Sequence, residues 1–149
     1  MRENIGLFRG KRKDNGEWVC GDLVHSWENM NAKPDIQIHN NMGYFDVIPE
    51  TVGECTNVPD KNGKFIFEGD ILRFYDVETK HESNGYAVIH YGRFRDTDAM
   101  SDFDYLGWYL TITTIPNEAT TIFVIEDEGL AFEVIGNVTD NPELLRGAD

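Results

Sequence analysis

The sequence has little cysteine, little proline and few basic residues. It contains 2 cysteines, 5 prolines and 13 Lys and Arg, against 27 Asp and Glu, in 149 residues. The cysteines, Cys20 and Cys55, stand far apart, which is typical of a reducing compartment and not of a disulfide framework. No stretch approaches the roughly 18 apolar residues of a membrane span, and the N-terminal residues lack the apolar segment of a signal peptide. The sequence therefore predicts a cytoplasmic protein without membrane contact.

The shortage of basic residues gives a formal net charge of −14. Most of it lies in residues 49–149, which carry 7 basic and 20 acidic side chains, whereas residues 1–48 carry 6 and 7. Nucleic-acid binding draws much of its affinity from Lys and Arg on phosphates, so no direct nucleic-acid binding is expected. One basic cluster adjoins the turn signal Asn15-Gly16, and we interpret it as a solvated hairpin tip. The cluster consists of Arg9, Lys11, Arg12 and Lys13.

Short strand patterns separated by turn signals recur along the chain, and long helical periodicity is absent. This spacing predicts an all-β fold, either a barrel or a sandwich. Near the C-terminus, Asp140-Asn141-Pro142 places a capping residue before proline, which predicts one short helical turn. After an apolar stretch at Ile5–Phe8, the predicted strands are Glu17–Val24, Ile36–His39, Tyr44–Ile48, Phe65–Phe67, Ile71–Tyr75, Tyr86–Tyr91, Trp108–Ile115, Thr121–Ile125 and Leu130–Ile135.

Three groups of residues are predicted to shape turns. The first is Pro49–Gly53, the second lies around Gly63, and the third is Glu68–Asp70. In the first group, proline presets φ and glycine ends the turn. In the last, glycine takes backbone angles that side chains resist, and Asp70 is expected to bond amides of the strand that follows. The residues of this structural motif are Pro49, Glu50, Thr51, Gly53, Gly63, Glu68, Gly69 and Asp70.

Several segments together resemble the YopX-like family of phage and prophage proteins. They are Trp18-Val19 with Gly21-Asp22-Leu23, Val47–Gly53, Asp60–Leu72 and Val134–Asn137 with Asn141–Leu144. The resemblance implies an SH3-like barrel portion with additional hairpins, encoded by a mobile element in bacteria, and no established activity. We expect a single domain over residues 1–149, with an N-terminal hairpin lobe at 1–48 and a barrel-like part at 49–149.

No motif indicates a cofactor or a metal ion. The histidines His25, His39, His81 and His90 lack ligand spacing. An EF-hand frame started at Asp102 places Leu106 and Thr113 where oxygen ligands are required. Carboxylates near Glu50, Glu68 and Asp70 are the alternative basis for a small-molecule enzyme, although no catalytic constellation surrounds them. The chain is therefore expected to be non-enzymatic.

The segment Arg93–Trp108 mixes aromatic and acidic residues, and the sequence predicts a long loop there. Such a composition is typical of an interaction surface, although the same aromatic residues would equally suit the entry into a core strand. The leading hypothesis is a protein-binding module with an unknown host or phage partner. Three alternatives stay open: an acidic mimic of nucleic acid that occupies a host DNA-binding protein, the small-molecule enzyme described above, and a homo-oligomer. The candidate interaction surface comprises Phe94, Asp96, Asp98, Phe103, Asp104, Tyr105 and Trp108.

Overall fold

Eleven strands and two short 3₁₀ helices make up the described part of the chain. The computed structural model describes residues 6–80, 82, 85–96, 103–114, 120–123 and 130–146. The 3₁₀ helices are Pro49–Thr51 and Pro142–Arg146. The strands are β1 Phe8–Lys11, β2 Trp18–Ser26, β3 Asp35–Asn40, β4 Gly43–Asp46, β5 Gly53–Pro59, β6 Phe65–Phe67, β7 Asp70–Asp76, β8 Gly85–Asp96, β9 Phe103–Thr114, β10 Thr120–Phe123 and β11 Leu130–Asn137.

The chain divides into two compact units, Met1–Val58 and Pro59–Asp149. In the first unit the strands lie side by side in the order β4-β3-β2-β1-β5. One face of this sheet packs inward: Ile38 and Val47 are fully buried. A Cβ added at Gly10 would meet Val47 Cβ at 3.1 Å and Ile38 Cδ1 at 3.3 Å. A side chain at position 10 would therefore crowd the core of this unit.

The second unit contains an antiparallel sheet in the order β10-β9-β8-β7-β11. Strand β7 lies between β8 and the edge strand β11. The consecutive residues Ile71 and Leu72 of β7 point to opposite faces because side chains alternate along a strand, and both are fully buried. The sheet is therefore covered on both faces at β7.

The prediction of a mainly β protein with a short helical turn near the C-terminus is confirmed. The single-domain organisation with lobes at 1–48 and 49–149, and the SH3-like closure of a barrel, stay predictions. One strand was missed: β5 contains Asn57, whose φ is 63°. It pairs with β1 through Gly53 opposite Arg9 and buries Cys55 completely, so tertiary pairing outweighs its weak strand propensity.

The prediction of a long loop at Arg93–Trp108 is wrong for most of that segment. Arg93–Asp96 belong to β8 and Phe103–Trp108 to β9, and the two strands pair directly. Acidic residues are rare in strands. The pairing between the two strands decides the structure instead, because it satisfies the backbone amides of both.

Candidate interaction surface

Strands β8 and β9 form a hairpin longer than the strands beside it. Their register runs through 12 residues of each strand, from Gly85 opposite Thr114 to Asp96 opposite Phe103. Strand β7 pairs with β8 at Ala87 and Val88, and β10 pairs with β9 at Leu110–Thr113. Within the described residues, β8 and β9 therefore continue past these pairings as a two-stranded extension. We call residues 90–96 and 103–109 the hairpin arm.

An apolar face passes from the sheet onto the base of the arm, and beyond Trp108 this side carries Leu106 opposite Arg93. Residues paired across an antiparallel ladder share a face, so Ile89 with Leu110 and Tyr91 with Trp108 lie on the same side. Ile89 and Leu110 are fully buried, whereas Tyr91 is 53% and Leu106 72% exposed. The same side of the hairpin is therefore core within the sheet and solvent-exposed surface on the arm.

Tyr91 and Trp108 fix each other on this face. Their ring centroids lie 4.9 Å apart with an interplanar angle of 63°, an edge-to-face geometry. Aromatic pairs of this kind contribute about 0.5–1.5 kcal/mol beyond the burial of their area. The exposed Tyr91 ring is consequently held in a defined orientation, and less rotational entropy remains to be lost when another surface packs on it.

Two glycines face each other in the middle of the arm. Gly92 pairs with Gly107, and their φ angles are 152° and 148°, in a region that L side chains rarely adopt. A Cβ added at Gly92 would meet no atom within 4 Å, so backbone conformation and not space favours glycine there. Glycine in a strand commonly marks a bend or a close backbone approach, and this pair marks the beginning of the outer part of the arm.

The opposite side of the arm begins with His90. Its ring stacks on Tyr109 at 5.1 Å, and its Nε2 lies 2.9 Å from Thr111 Oγ1. Burial lowers the pKa of His90 below its usual value, because desolvation disfavours the charged imidazolium. His90 therefore serves as a neutral packing residue at physiological pH.

The structure places most of the predicted surface residues on the arm. Phe94 pairs with Tyr105, Asp96 with Phe103, Asp104 with Arg95, and Trp108 with Tyr91. Asp98 lies outside the described residues. Sequence reasoning missed Tyr91 and Leu106, although the alternation that begins at Ala87 and Ile89 reaches Tyr91 in the predicted strand.

Thr51 joins the first 3₁₀ helix to β1. Its hydroxyl accepts a hydrogen bond from the Lys11 amide at 2.8 Å and donates to the Ile48 carbonyl at 2.6 Å. Pro49 begins this helix, Glu50 lies exposed in its only turn, and Gly53 follows as the first residue of β5. In the first unit the predicted motif thus organises a connection between strands.

In the second unit Asp70 is 1% exposed. Its Oδ2 accepts a hydrogen bond from the Phe67 amide at 2.8 Å, so this bond runs back to the preceding strand β6, whereas bonds to the following strand were expected. Glu68 is half-buried, and Gly69 has φ 86° and donates from its amide to the Ile89 carbonyl at 3.0 Å. Asp70 thus stabilises the turn between β6 and β7.

Asp60 was not recognised as a key residue from the sequence. It is 7% exposed. Its Oδ1 accepts from the Asn62 and Lys64 amides, both at 2.9 Å, and its Oδ2 accepts from the Val134 amide at 3.0 Å. Burial acts to raise the pKa of Asp60, but these three amide bonds outweigh it, and the pKa is lowered. Asp60 therefore joins the turn at Gly63, where φ is 82°, to β11.

Within the part of the chain that the structure describes, no three His, Cys, Asp or Glu side chains are grouped closely enough to hold a metal ion. His81 and Asp102, which the sequence analysis considered as ligands, lie outside that part. No helix among the described residues has the length and apolar character that crossing a membrane requires.

Fold and arm together define a class: a mainly β protein of two antiparallel sheets, with a two-stranded arm on the second. A family model described as "YopX protein" matches residues 7–146, and the chain belongs to this family. Neither the search of curated proteins nor that of solved structures gave a significant match.

Proposed function

We propose that this protein is a phage- or prophage-encoded, non-enzymatic binding module. Its hairpin arm packs against another protein in the cytoplasm of the bacterial host. The phage assignment draws on the YopX family match over residues 7–146. Cys20 and Cys55 are not joined in a disulfide, which suits a reducing compartment.

The observation that carries the proposal is the exposed apolar face of the arm. Tyr91, Leu106 and Trp108 continue the side of the hairpin that is buried core at Ile89 and Leu110. Exposed apolar surface of this kind commonly marks a protein interface, and aromatic residues dominate binding energy at interfaces. An isolated two-stranded hairpin is only marginally stable in water, so a partner surface would also stabilise the arm.

The experiment compares three immobilised proteins in lysates of the bacterial host, with and without phage infection. They are the wild type, the double variant Tyr91→Ser with Leu106→Ser, and the control Met42→Ser. Met42 is 80% exposed and lies in the first unit, so its substitution removes a similar apolar side chain away from the arm. Proteins recovered by the wild type are identified by mass spectrometry, purified and titrated by calorimetry.

We expect one specific partner whose Kd rises about tenfold or more with the double variant, since truncating an interface anchor costs on the order of 1–2 kcal/mol or more. Met42→Ser should leave the Kd unchanged. A partner that binds the double variant as tightly as the wild type, or the recovery of no specific partner, would contradict the proposal.

The alternative, an acidic mimic of nucleic acid, is favoured by the uneven charge. Residues 59–149 carry 18 acidic and 7 basic side chains. Such a surface would occupy a basic cleft, and its binding would weaken steeply with salt. Two measurements on the recovered partner distinguish the two functions. A partner of the mimic should be displaced by double-stranded DNA and by added salt. A partner bound through the apolar arm should tolerate both.

A further inference from the structure

Strand β8 has a backbone edge on the arm that no described strand covers. In the sheet, β8 lies between β9 and β7, and β7 pairs with it at Ala87 and Val88. The Gly69 amide, just before β7, then donates to the Ile89 carbonyl at 3.0 Å. Beyond Ile89, β9 is the only strand among the described residues that pairs with β8. The arm therefore leaves open the side of β8 that β7 covers within the sheet.

The bond from Gly69 shows which way the backbone of β8 faces. Along a strand, the N–H and C=O groups of successive residues point alternately to the two neighbouring strands. The Ile89 carbonyl points toward β7, and the register with β9 continues along the arm without a shift. Tyr91, Arg93 and Arg95 therefore direct their backbone groups to the open side, at intervals of about 6.8 Å. We call the backbone groups of these three residues the outer edge of β8.

The other end of the same sheet shows how this chain covers an edge. Strand β11 is the last in the strand order. Its Val134 amide donates to Asp60 Oδ2 at 3.0 Å, and its Phe132 carbonyl accepts from the Lys61 amide at 2.8 Å. Proteins commonly cover edges in this way, because an open edge pairs with other chains. The outer edge of β8 has no such cover within the part of the chain that the structure describes.

We propose that the partner of the arm contributes an extended strand that adds to the outer edge of β8. This inference rests on the proposed function, because it specifies how the arm holds its partner. A row of N–H and C=O groups at strand spacing is complemented by another polypeptide strand, and main-chain bonds supply the affinity of such complexes. A phosphodiester backbone offers acceptors but no alternating N–H donors, so it does not match this edge.

The side chains beside the outer edge indicate which residues the added strand carries. Tyr91 is 53% exposed and lies on the same side of the hairpin as Trp108. The residue of the added strand opposite Tyr91 would pack on an aromatic ring, and aromatic and β-branched residues form favourable cross-strand pairs with such rings. We therefore expect a partner segment with aromatic or β-branched residues at alternate positions. Its addition would turn a two-stranded ribbon, which is marginally stable alone, into a three-stranded sheet.

Amide hydrogen exchange followed by NMR tests the edge in the full chain alone. The amides of Tyr91, Arg93 and Arg95 should exchange nearly as fast as in an unstructured peptide. The Phe94 amide, which faces β9, should exchange at least about tenfold more slowly. Protection of the outer-edge amides in the monomer would overturn the inference, because the edge would already be covered. Protection that appears only as the protein concentration rises would also overturn it and would assign the edge to a second copy.

The second test uses the protein recovered by the wild type from host lysates, after purification. It should protect the outer-edge amides of the wild type from exchange. Arg93→Pro removes an N–H that faces the open side and no bond to β9, a position where a strand tolerates proline. It should raise the Kd about tenfold or more. The matched control Arg93→Ala removes the same side chain but keeps the N–H, and it should change the Kd by no more than about threefold. Continued protection of the Phe94 amide in Arg93→Pro would show that the pairing of β8 with β9 is intact.

The outcomes separate this inference from the proposed function. A partner that leaves the outer-edge amides of the wild type unprotected overturns the inference, and so does one that binds Arg93→Pro as tightly as Arg93→Ala. The proposed function then still stands if Tyr91→Ser with Leu106→Ser weakens the partner. Protection of the outer edge together with unchanged binding of that double variant contradicts docking on the apolar face and supports strand addition. Recovery of no specific partner contradicts both.

Discussion

Two regions of the second unit expose side chains in contrasting ways. Beside β7 and β11, partly exposed polar groups bond one another: Tyr75 donates from its hydroxyl to Glu133 Oε2 at 2.8 Å, and Lys61 Nζ lies 3.5 Å from the same oxygen and 4.0 Å from the Tyr75 centroid. On the hairpin arm, by contrast, the apolar side chains of Tyr91 and Leu106 are exposed. The polar region bonds its groups within the chain, whereas the arm leaves large apolar side chains exposed to solvent.

The sharpest test of this contrast compares two leucines on the same strand. Leu110→Ala in the buried part of β9 should lower the free energy of unfolding by about 2–5 kcal/mol, because it removes fully buried methyl groups and leaves a cavity. Leu106→Ala on the arm should change it by no more than about 0.5 kcal/mol. Urea unfolding of both variants measures the difference, and equal losses would show that the arm is part of the core.

Asp60 tests the region in which polar groups bond within the chain. Asp60→Asn keeps an oxygen for the Asn62 and Lys64 amides but turns an NH₂ group toward the Val134 amide, and it should cost about 1–3 kcal/mol. The exposed carboxylate of Asp22 provides the control, since Asp22→Asn should change stability little.

The same residue predicts a pH dependence. The pKa of Asp60 is lowered in the folded protein, so the unfolded chain binds its proton at the higher pH. The stabilisation is fully present above the unfolded value of about 3.9 and is lost as the pH falls through the folded pKa. Unfolding measured between neutral and strongly acidic pH should show this loss in the wild type and a smaller one in Asp60→Asn. Parallel pH profiles would contradict this role of Asp60.

Glu133 should give the smallest effect. The hydrogen bond from Tyr75 is the main cause that lowers the pKa of Glu133, with further lowering from Lys61. Glu133→Gln weakens a partly exposed network that salt already screens. We expect a fall in Tm smaller than that of Asp60→Asn, and smaller still in high salt. A larger fall than that of Asp60→Asn would reverse the assigned roles.

Strands with a clear apolar pattern bounded by turn signals could be predicted from the sequence. Glu17–Val24, Phe65–Phe67 and Ile71–Tyr75 alternate between turn signals, and each overlaps an observed strand. Strand β5 was not predicted because Asn57 and Pro59 are poor strand formers. It is defined by its pairing with β1. The contact of Asp60 with Val134 joins residues far apart in sequence, and local pattern carries no information about such pairs.

The candidate surface could be predicted in part for the same reason. The mixture of aromatic and acidic residues in Arg93–Trp108 drew attention to this segment as a candidate surface. Its conformation was wrongly expected to be a loop. The exposed face follows from the pairing of β8 with β9 and from the shorter extent of the pairings with β7 and β10. Neither the register nor those lengths can be read from residue types alone.

The glycine pair of the arm has a practical consequence for shortening this protein. Because Gly92 and Gly107 are direct partners, equal deletions from both strands beyond them leave every remaining pair in register. The side chains nearer the sheet then keep their faces, and a truncated chain would differ from the original only at its tip. The pair Gly92–Gly107 thus marks the position beyond which the hairpin can be shortened while the remaining register is kept.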